Sequence, residues 1–217
     1  MHSIISKEQY ISVAHKIMQE EGIQAITIRR LGNELGCNTA NLYRYFRDLD
    51  ELIVYSSLGY LRGYLKEIND LLKKDMNTLE LHYSVWECFA RHSFANAEIF
   101  NSLFFGKHGE HLDVIMKDYY NLFGEEIESL DAETRKIFTS GDFRYRDYLM
   151  ISRAVEEGYF RPEDKYDLNH ICIYLYKGYL KEIMDHHISG EDVLPWKENF
   201  MKHLRKILQA YTVQVED

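Results

Sequence analysis

The sequence LGNELGCNTANLYRYF, residues 31–46, contains two stretches of helical character separated by only three residues, GCN. Gly36 can adopt the left-handed conformation that ends the first stretch. In the second stretch, Leu42 and Phe46 are four residues apart and therefore share one face of a helix. Because so short a turn fixes the angle between two helices, the sequence predicts a helix-turn-helix.

Local signals predict the other parts of a three-helix unit around this turn. Ser6 and Gln9 form a capping-box pair at the start of the first helix, and Gly22 is placed to end it. Thr27 and Asn38 are the expected N-caps of the second and third helices, since their side-chain oxygens can accept hydrogen bonds from free backbone N–H groups.

The rest of the chain also repeats apolar residues at helical spacing, which predicts an all-α fold. With 217 residues, 46% of them hydrophobic and only two of them proline, the chain can bury a sizeable core. We expect a helix-turn-helix domain at residues 1–48 and a larger helical domain at 49–217. A continuous helix from about residue 49 to 72 is expected to couple the two rigidly.

Neither a membrane span nor a metal site is predicted. The start, MHSIISKEQY, lacks a basic stretch followed by an apolar run, and no segment approaches the roughly 18 uninterrupted apolar residues of a transmembrane helix. Cys37, Cys88 and Cys172 are far apart and follow no metal-binding spacing. We therefore expect reduced thiols, no metal, no cofactor, and a soluble cytoplasmic protein.

Net charge and its distribution give opposite indications about a nucleic-acid partner. The formal net charge of −9 repels phosphate. Residues 1–50, however, contain six basic and six acidic residues, and between residues 27 and 47 four arginines occur with a single acidic residue, Glu34. DNA meets a local patch and not the average charge, so this stretch is a candidate DNA-binding surface.

The outward side chains of the helix after the turn have the chemistry needed to read DNA. They are Thr39, Ala40, Asn41, Tyr43, Arg44 and Tyr45. Asparagine can bond adenine through two hydrogen bonds, threonine and alanine offer methyl groups to thymine, and arginine and tyrosine can hold phosphates. The alternative is an ordinary helical hairpin with a solvated polar face.

The first fifty residues resemble the DNA-binding domain of the TetR family of bacterial transcriptional regulators. The similarity includes the helix end at Gly22, the segment ITIRRLGNELG with its cap at Thr27, and the turn after Gly36. It is most specific in the sequence LYRYF, which is followed by a new helix start at DLDELI.

This resemblance implies roles for individual residues. It implies that base edges are contacted by Arg29, Thr39, Ala40 and Asn41, and that the DNA backbone is held by Thr27, Tyr43, Arg44 and Tyr45. Family members usually place a phosphate-binding lysine where this chain has Leu49. Either Arg47 supplies the missing charge, or the protein binds DNA less tightly than its relatives.

Aromatic residues are concentrated between residues 83 and 123. A pocket lined by such rings with a few polar groups suits an apolar or aromatic small molecule. The candidate ligand-binding residues are Trp86, Phe89, Phe104, Phe105, Tyr119, Tyr120 and Phe123. The alternative is that each ring packs in the hydrophobic core and does not line a pocket.

Two long helices are predicted near the C-terminus. Gly158 is expected to end the helix before them, Asp167 to cap the first of the pair, and Pro195 to open the second. In the TetR family, two such helices from each subunit form a four-helix dimer interface. The resemblance therefore implies a homodimer, with candidate interface residues Ile171, Leu175, Tyr179, Phe200, Leu204, Ile207 and Tyr211. The alternative is that these residues pack in the internal core of a single subunit.

Enzymatic signatures are missing from the sequence. It contains no GxxxxGK[ST], GxSxG or GxGxxG motif, and the pair His108 and His111 does not complete a metal site. We therefore expect a ligand-responsive repressor that binds a near-palindromic operator as a dimer and leaves it when an unknown effector binds. The alternatives are an activator of the same fold, and a small-molecule-binding protein or enzyme with a disused helix-turn-helix.

Overall fold

The computed structural model describes residues 5–128 and 130–213, apart from the side chains of Thr39, Glu133 and Phe138. Every regular element in this part is helical, which confirms the predicted all-α fold. The α-helices are α1 (Lys7–Glu21), α2 (Ile28–Leu35), α3 (Leu49–Ser57), α4 (Leu61–Leu71), α5 (Thr78–Phe94), α6 (Ala97–Phe105), α7 (Leu112–Leu122), α8 (Ala132–Phe138), α9 (Phe143–Glu156), α10 (Lys165–Asp185) and α11 (Val193–Tyr211). Among these described helices, none is long and apolar enough to cross a membrane.

Short 3-10 segments connect or extend several of the α-helices. They are Ile23–Ala25, Thr39–Arg44, Leu58–Tyr60, Gly109–His111, Gly124–Glu126, Pro162–Asp164 and Gly190–Asp192.

The chain folds as two compact units, and each unit is built from two separate stretches. The first unit contains Met1–Arg62 and Glu98–Glu128, and the second contains Gly63–Ala97 and Ser129–Asp217. The boundaries of these units therefore fall inside α4 and at the start of α6. The domain boundary expected after residue 48 concerns function and stays a prediction.

Helix α1 lies at the centre of the first unit, where it packs against α2 and α3. Its buried residues are Tyr10, Ile11, Ala14, Ile17 and Met18. The predicted capping box is present, since Ser6 Oγ accepts the Gln9 N–H at 3.3 Å and Gln9 Oε1 accepts the Ser6 N–H at 2.8 Å. Gly22, with φ of 88°, ends the helix as predicted.

The prediction of a continuous helix over residues 49–72 is wrong, because the 3-10 turn Leu58–Tyr60 separates α3 from α4. His15 on α1 lies against this turn. Its Nδ1 is 2.8 Å from the Ser56 carbonyl oxygen, and a Cβ atom on Gly59 would come within 2.6 Å of its ring. The interruption follows from this close approach: the imidazole engages a helix carbonyl, and only glycine leaves room for the ring.

The core of the second unit is aromatic and centres on α5, which packs against α9, α10 and α11. The rings in mutual contact include Trp86, Phe89, Phe94, Phe143, Tyr176 and Phe200, with centroid distances from 4.8 to 6.2 Å. Such aromatic pairs contribute about 0.5–1.5 kcal/mol each beyond their buried area. This cluster therefore fixes α5 against the three helices around it.

The last two helices begin three and two residues earlier than predicted. Gly158, with φ of 84°, follows α9 as expected, but α10 begins at Lys165 and not after Asp167, since the 3-10 turn at Pro162 leads directly into it. Helix α11 begins at Val193, which places Pro195 inside the first turn. Proline is tolerated there, because a first-turn N–H has no partner within the helix.

Candidate functional site

The turn of the helix-turn-helix is held by hydrogen bonds between residues close in sequence. Thr27 Oγ1 accepts the Arg30 N–H at 3.1 Å at the start of α2, and Gly36 ends this helix with φ of 60°. Asn38 Oδ1 then accepts the Ala40 N–H at 2.9 Å. These are the predicted caps, and they set the direction of the chain on both sides of the turn.

The segment after the turn is the 3-10 helix Thr39–Arg44, which corrects the prediction of an α-helix. Asn38 tightens its first turn, since its carbonyl accepts the Asn41 N–H at 3.0 Å, three residues ahead, while its side chain holds Ala40. Leu42 and Phe46 are only 1% and 2% exposed and anchor the segment as predicted.

Most of the nine candidate DNA-binding residues have side chains that solvent can reach. Those of Thr27, Arg29, Ala40, Tyr43, Arg44 and Arg47 are exposed, and those of Asn41 and Tyr45 are half-buried. The Thr39 side chain lies outside the described part of the structure. Tyr45 also has a packing role, because its ring is 6.2 Å from that of the buried Tyr10.

Two arginines near the turn are already paired with acidic side chains. Arg30 lies 2.8 Å from Glu21 and 3.1 Å from Glu34. Arg47 lies 3.6 Å from Glu51. Their charges are partly neutralised within the chain, which weakens them as phosphate ligands.

Arg29 and Arg44 differ from this pair. Within residues 5–128 and 130–213, neither side chain has an ion-pair or hydrogen-bond partner. An exposed guanidinium without a partner keeps its full charge and its donors for an oxyanion. The local positive charge noted in the sequence is therefore concentrated at these two side chains.

Asp48 closes the motif and caps α3. Its Oδ1 accepts the Glu51 N–H at 2.8 Å, and the same carboxylate lies 2.7 Å from Lys107 Nζ and 2.9 Å from His108 Nε2. Burial by itself raises the pKa of Asp48, but hydrogen bonds from Lys107, the Glu51 amide and His108 outweigh it and lower the pKa to about 2. The helix start at DLDELI was predicted, whereas the cationic partners of Asp48, about sixty residues away in sequence, were not.

The seven candidate ligand-binding aromatics do not form one group. Trp86 and Phe89 belong to the second unit, whereas the first unit contains Phe104, Phe105, Tyr119, Tyr120 and Phe123. Within the first unit, Tyr119 and Tyr120 are buried and the ring of Phe123 is 4.7 Å from that of Tyr119. Their predicted role in ligand binding stays a prediction.

A small cavity lies in the second unit beside α5 and α9. It is lined by Tyr64, His82, Val85, Trp86, Phe89, Phe143, Arg146, Asp147 and Met150. Its free space of about 30 Å³ holds one or two water molecules but no organic ring. Trp86 and Phe89 are the candidate residues that line it.

A buried polar network adjoins this cavity, with Asp147 at its centre. Asp147 Oδ1 accepts the Trp86 Nε1–H at 2.8 Å and lies 2.7 Å from His82 Nε2, and Oδ2 accepts an Asn169 N–H at 2.8 Å. In the described part of the chain, His82 Nδ1 is buried without a hydrogen-bond partner. Such an atom is unfavourable unless it is satisfied, which makes it a potential contact for a bound molecule.

His82, Asp147 and Asn169 were not among the residues predicted from the sequence. Their spacing of 22 to 65 residues conceals the network. One signal was available, because His82 lies one helical turn before Trp86 and therefore on the same face of α5.

The candidate interface residues on α10 and α11 fall into two classes. Phe200 and Leu204 are fully buried in the core of their own unit, so a partner chain has no access to them here. The half-buried residues are Ile171, Leu175, Tyr179, Ile207 and Tyr211. A surface groove also runs along these helices, lined by Leu175, Tyr179 and Trp196 and by the exposed Tyr174.

Comparison with known families agrees with the helix-turn-helix. The family model described as bacterial regulatory proteins of the tetR family matches residues 11–55. A helix-turn-helix transcriptional regulator of Staphylococcus aureus strain USA300 is 23% identical over 194 residues, covering 86% of this chain and 96% of the relative. A regulator from the bovine S. aureus strain RF122 is 29% identical over 82 residues, covering 36% of this chain and 44% of the relative.

Solved structures with the same fold span nearly the whole chain. RolR in complex with resorcinol aligns with a TM-score of 0.59 at 16% identity, covering 96% of this chain and 88% of RolR. SmeT, the repressor of the Stenotrophomonas maltophilia multidrug efflux pump SmeDEF, aligns with a TM-score of 0.56 at 14% identity, covering 99% and 94%. Residues 11–55, which contain the capped helix-turn-helix, thus match the TetR family of bacterial transcriptional regulators, and the chain as a whole shares the fold of solved TetR-family regulators.

Proposed function

We propose that this regulator is a repressor that binds a near-palindromic operator as a homodimer and is released by a small apolar or aromatic molecule. The observation that carries the DNA-binding half is the contrast among the arginines: Arg29 and Arg44 are exposed without partners in the described chain, whereas Arg30 is held by two glutamates.

On this proposal the two ends of the 3-10 segment have different tasks. Residues at its start, Ala40 and Asn41 with Thr39, read base edges together with Arg29. Tyr43, Arg44 and Tyr45, with Thr27 and Arg47, hold phosphates and orient the motif. The Thr27 hydroxyl oxygen already accepts a backbone N–H, but its hydrogen is free to donate to a phosphate.

The aromatic cavity and its polar network support the effector half of the proposal. Apolar rings with a few buried polar groups are the usual lining of a small-molecule site, and one structural relative was solved with resorcinol, a single-ring aromatic. The cavity is too small for such a ring. Binding must therefore select a conformer in which the lining residues have moved apart.

That requirement links ligand binding to release from DNA. If the expanded conformer binds DNA poorly, the ligand shifts the population towards it. A shift from mostly DNA-bound to mostly free requires the ligand to prefer the non-binding conformer by about 10⁴-fold.

Dimerisation is proposed to use the exposed parts of α10 and α11. The groove that includes Tyr174 and Trp196 offers an apolar surface at these helices, and Ile171, Leu175, Tyr179, Ile207 and Tyr211 flank the buried faces. Two recognition segments about 34 Å apart would then reach successive major-groove faces of a near-palindromic site.

The first test is selection of bound duplexes from a random DNA pool, followed by binding at several salt concentrations. We expect a near-palindromic winner. Arg44→Ala is expected to weaken binding to all sequences and to lower the salt slope by about 0.9, which corresponds to one phosphate. Arg30→Ala is the matched control and is expected to leave the slope unchanged, because Glu21 and Glu34 already occupy that side chain.

An equal loss of slope in both variants would contradict the assignment of Arg44. No enrichment by folded protein would overturn the DNA-binding proposal. A reporter gene placed under the selected sequence then separates repression from activation, since the two functions predict opposite changes in expression when the regulator is deleted.

The effector is best sought with Trp86 as the probe. The chain has two tryptophans, so Trp196→Phe leaves Trp86, which lines the cavity, as the sole tryptophan. A panel of single-ring aromatic molecules is expected to contain one that changes the fluorescence of this variant and also releases the wild-type protein from the operator. A molecule that releases the operator without affecting Trp86 would place the effector site elsewhere.

A further inference from the structure

Three side chains of types that bind transition metals meet where α4 packs beside α5. Glu67 lies on α4, and Cys88 and His92 lie on α5. One ligand atom from each side chain lies within 4.8 Å of the others, and Glu67 Oε2 is 3.1 Å from His92 Nε2. We propose that Glu67, Cys88 and His92 form a zinc-binding site.

The arrangement requires little movement to accept the ion. Cys88 and His92 are one helical turn apart, so both side chains leave the same face of α5. Around a tetrahedral zinc ion with bonds of about 2.0–2.3 Å, ligand atoms lie about 3.3–3.5 Å apart. The Glu67–His92 distance is already close to this, and rotation of side chains suffices to bring in the sulfur.

The donor set also selects the class of metal. A thiolate, an imidazole nitrogen and a carboxylate oxygen suit zinc and similar transition ions, whereas magnesium and calcium prefer oxygen ligands alone. Three protein ligands leave the fourth tetrahedral position to water. The Glu67 and His92 side chains are 41% and 24% exposed, which provides access for both the ion and the water.

Neighbouring residues hold two of the ligands in place. Arg91 bonds Glu67 Oε1, which leaves Oε2 directed at His92. A Cβ atom on Gly63 would approach His92 Cε1 to 3.2 Å, so the glycine gives the imidazole room against α4. Outer contacts of this kind orient metal ligands in known sites.

The Cys88 sulfur lies within 4.8 Å of a Glu67 carboxylate oxygen and of a His92 ring nitrogen. On binding, the sulfur–hydrogen bond breaks, the proton passes to solvent, and a sulfur–zinc bond forms without any change of oxidation state. The ion would thus join α4 to α5 within the second unit. The proposal does not depend on DNA binding.

The test uses the full-length protein, freed of metal by chelator and titrated with Co²⁺ as a spectroscopic substitute for zinc. We expect a saturable signal at one ion per chain, with the near-ultraviolet charge-transfer band that reports a sulfur–cobalt bond. Zn²⁺ is expected to abolish it by displacement and to raise the midpoint of thermal unfolding.

Cys88→Ser is expected to remove the charge-transfer band, and Cys37→Ser, which changes the more exposed thiol, to keep it. Glu67→Gln alters a partly exposed side chain and leaves the core intact. It is expected to weaken cobalt binding by at least about tenfold, the loss that even an outer-sphere change causes.

Absence of the band in folded wild-type protein would overturn the proposal. So would a band that survives in Cys88→Ser but disappears in Cys37→Ser, since that result assigns the metal to a different thiol. Unchanged cobalt affinity in folded Glu67→Gln would exclude Glu67 as a ligand and overturn the three-residue site.

Discussion

The helix-turn-helix and the polar network of the second unit are built in opposite ways. Around the turn, Thr27, Asn38 and Asp48 each accept a backbone N–H two or three residues ahead. In the second unit, the bonds of Asp147 reach residues 22 to 65 positions away. Short-range bonds can be read from sequence spacing, whereas long-range ones exist only once the helices have packed.

The two regions also expose their chemistry differently. The turn region presents charge to solvent at Arg29 and Arg44, where changes affect a partner more than the fold. The network around Asp147 is buried, where changes affect the fold first. Four predictions test this contrast.

The largest effect is expected from Asp147→Ala. His82, Trp86 and Asn169 each lose a contact with the Asp147 carboxylate in a buried site, and each hydrogen bond to a charged group contributes about 1.5–3 kcal/mol. We expect urea unfolding to report a loss of at least about 3 kcal/mol. Glu156→Ala, an exposed change on the same helix, is the control and should stay within about 0.5 kcal/mol. Similar losses in both variants would mean that the network adds no stability.

Asn41→Ala is expected to change sequence preference without unfolding the protein. A bidentate contact to adenine contributes about 1–3 kcal/mol of discrimination, so selectivity should fall at one base pair in each half-site. Competition assays with single-base operator variants measure this. Asn33→Ala, which changes an exposed asparagine on α2, should retain wild-type selectivity. A uniform loss of affinity across all variants would instead assign Asn41 to the DNA backbone.

Asp48 combines short-range and long-range bonding. It caps the adjacent helix α3, and it also bonds Lys107 and His108, which are far along the chain. Its pKa is lowered from 3.8 to about 2, so its charge stabilises the fold above about pH 4, and this contribution disappears as the pH falls through about 2. Asp48→Asn keeps the cap but removes the charge. We expect a loss of about 1 kcal/mol near neutral pH, which vanishes in acid.

Urea titrations of wild-type and Asp48→Asn protein at stepped pH measure this difference. Asp50→Asn is the control, since Asp50 is exposed and lies 3.6 Å from Lys107. A stability difference that persists unchanged at the lowest pH would show that it does not come from the Asp48 charge.

The smallest effect is expected from Leu49→Lys, which restores the lysine usual in the family. Leu49 is the first residue of α3 and is half-buried. One added phosphate contact should steepen the salt slope of DNA binding by about 0.9 and tighten binding modestly. Leu49→Gln controls for the loss of the apolar side chain. An unchanged slope in Leu49→Lys would mean that Arg47 already serves this phosphate.

Several elements of the first unit were predictable because their signals are local. The capping box at Ser6, the cap at Thr27 and the left-handed Gly36 occur where expected. The exceptions are places where a distant group intervenes. His15 on α1 interrupts the expected 49–72 helix at Gly59, and no periodicity within residues 49–72 contains that information.

The sequence by itself determined the all-α fold and the helix-turn-helix, since these depend on periodicity, caps and one turn of fixed length. Only the tertiary structure decided which polar groups share a site. It joined His82 to Asp147 and Asn169, left Arg44 open while pairing Arg30, and gathered Glu67, Cys88 and His92. The reason is physical: a side chain's partners across a packed interface depend on helix orientation, which no local spacing specifies.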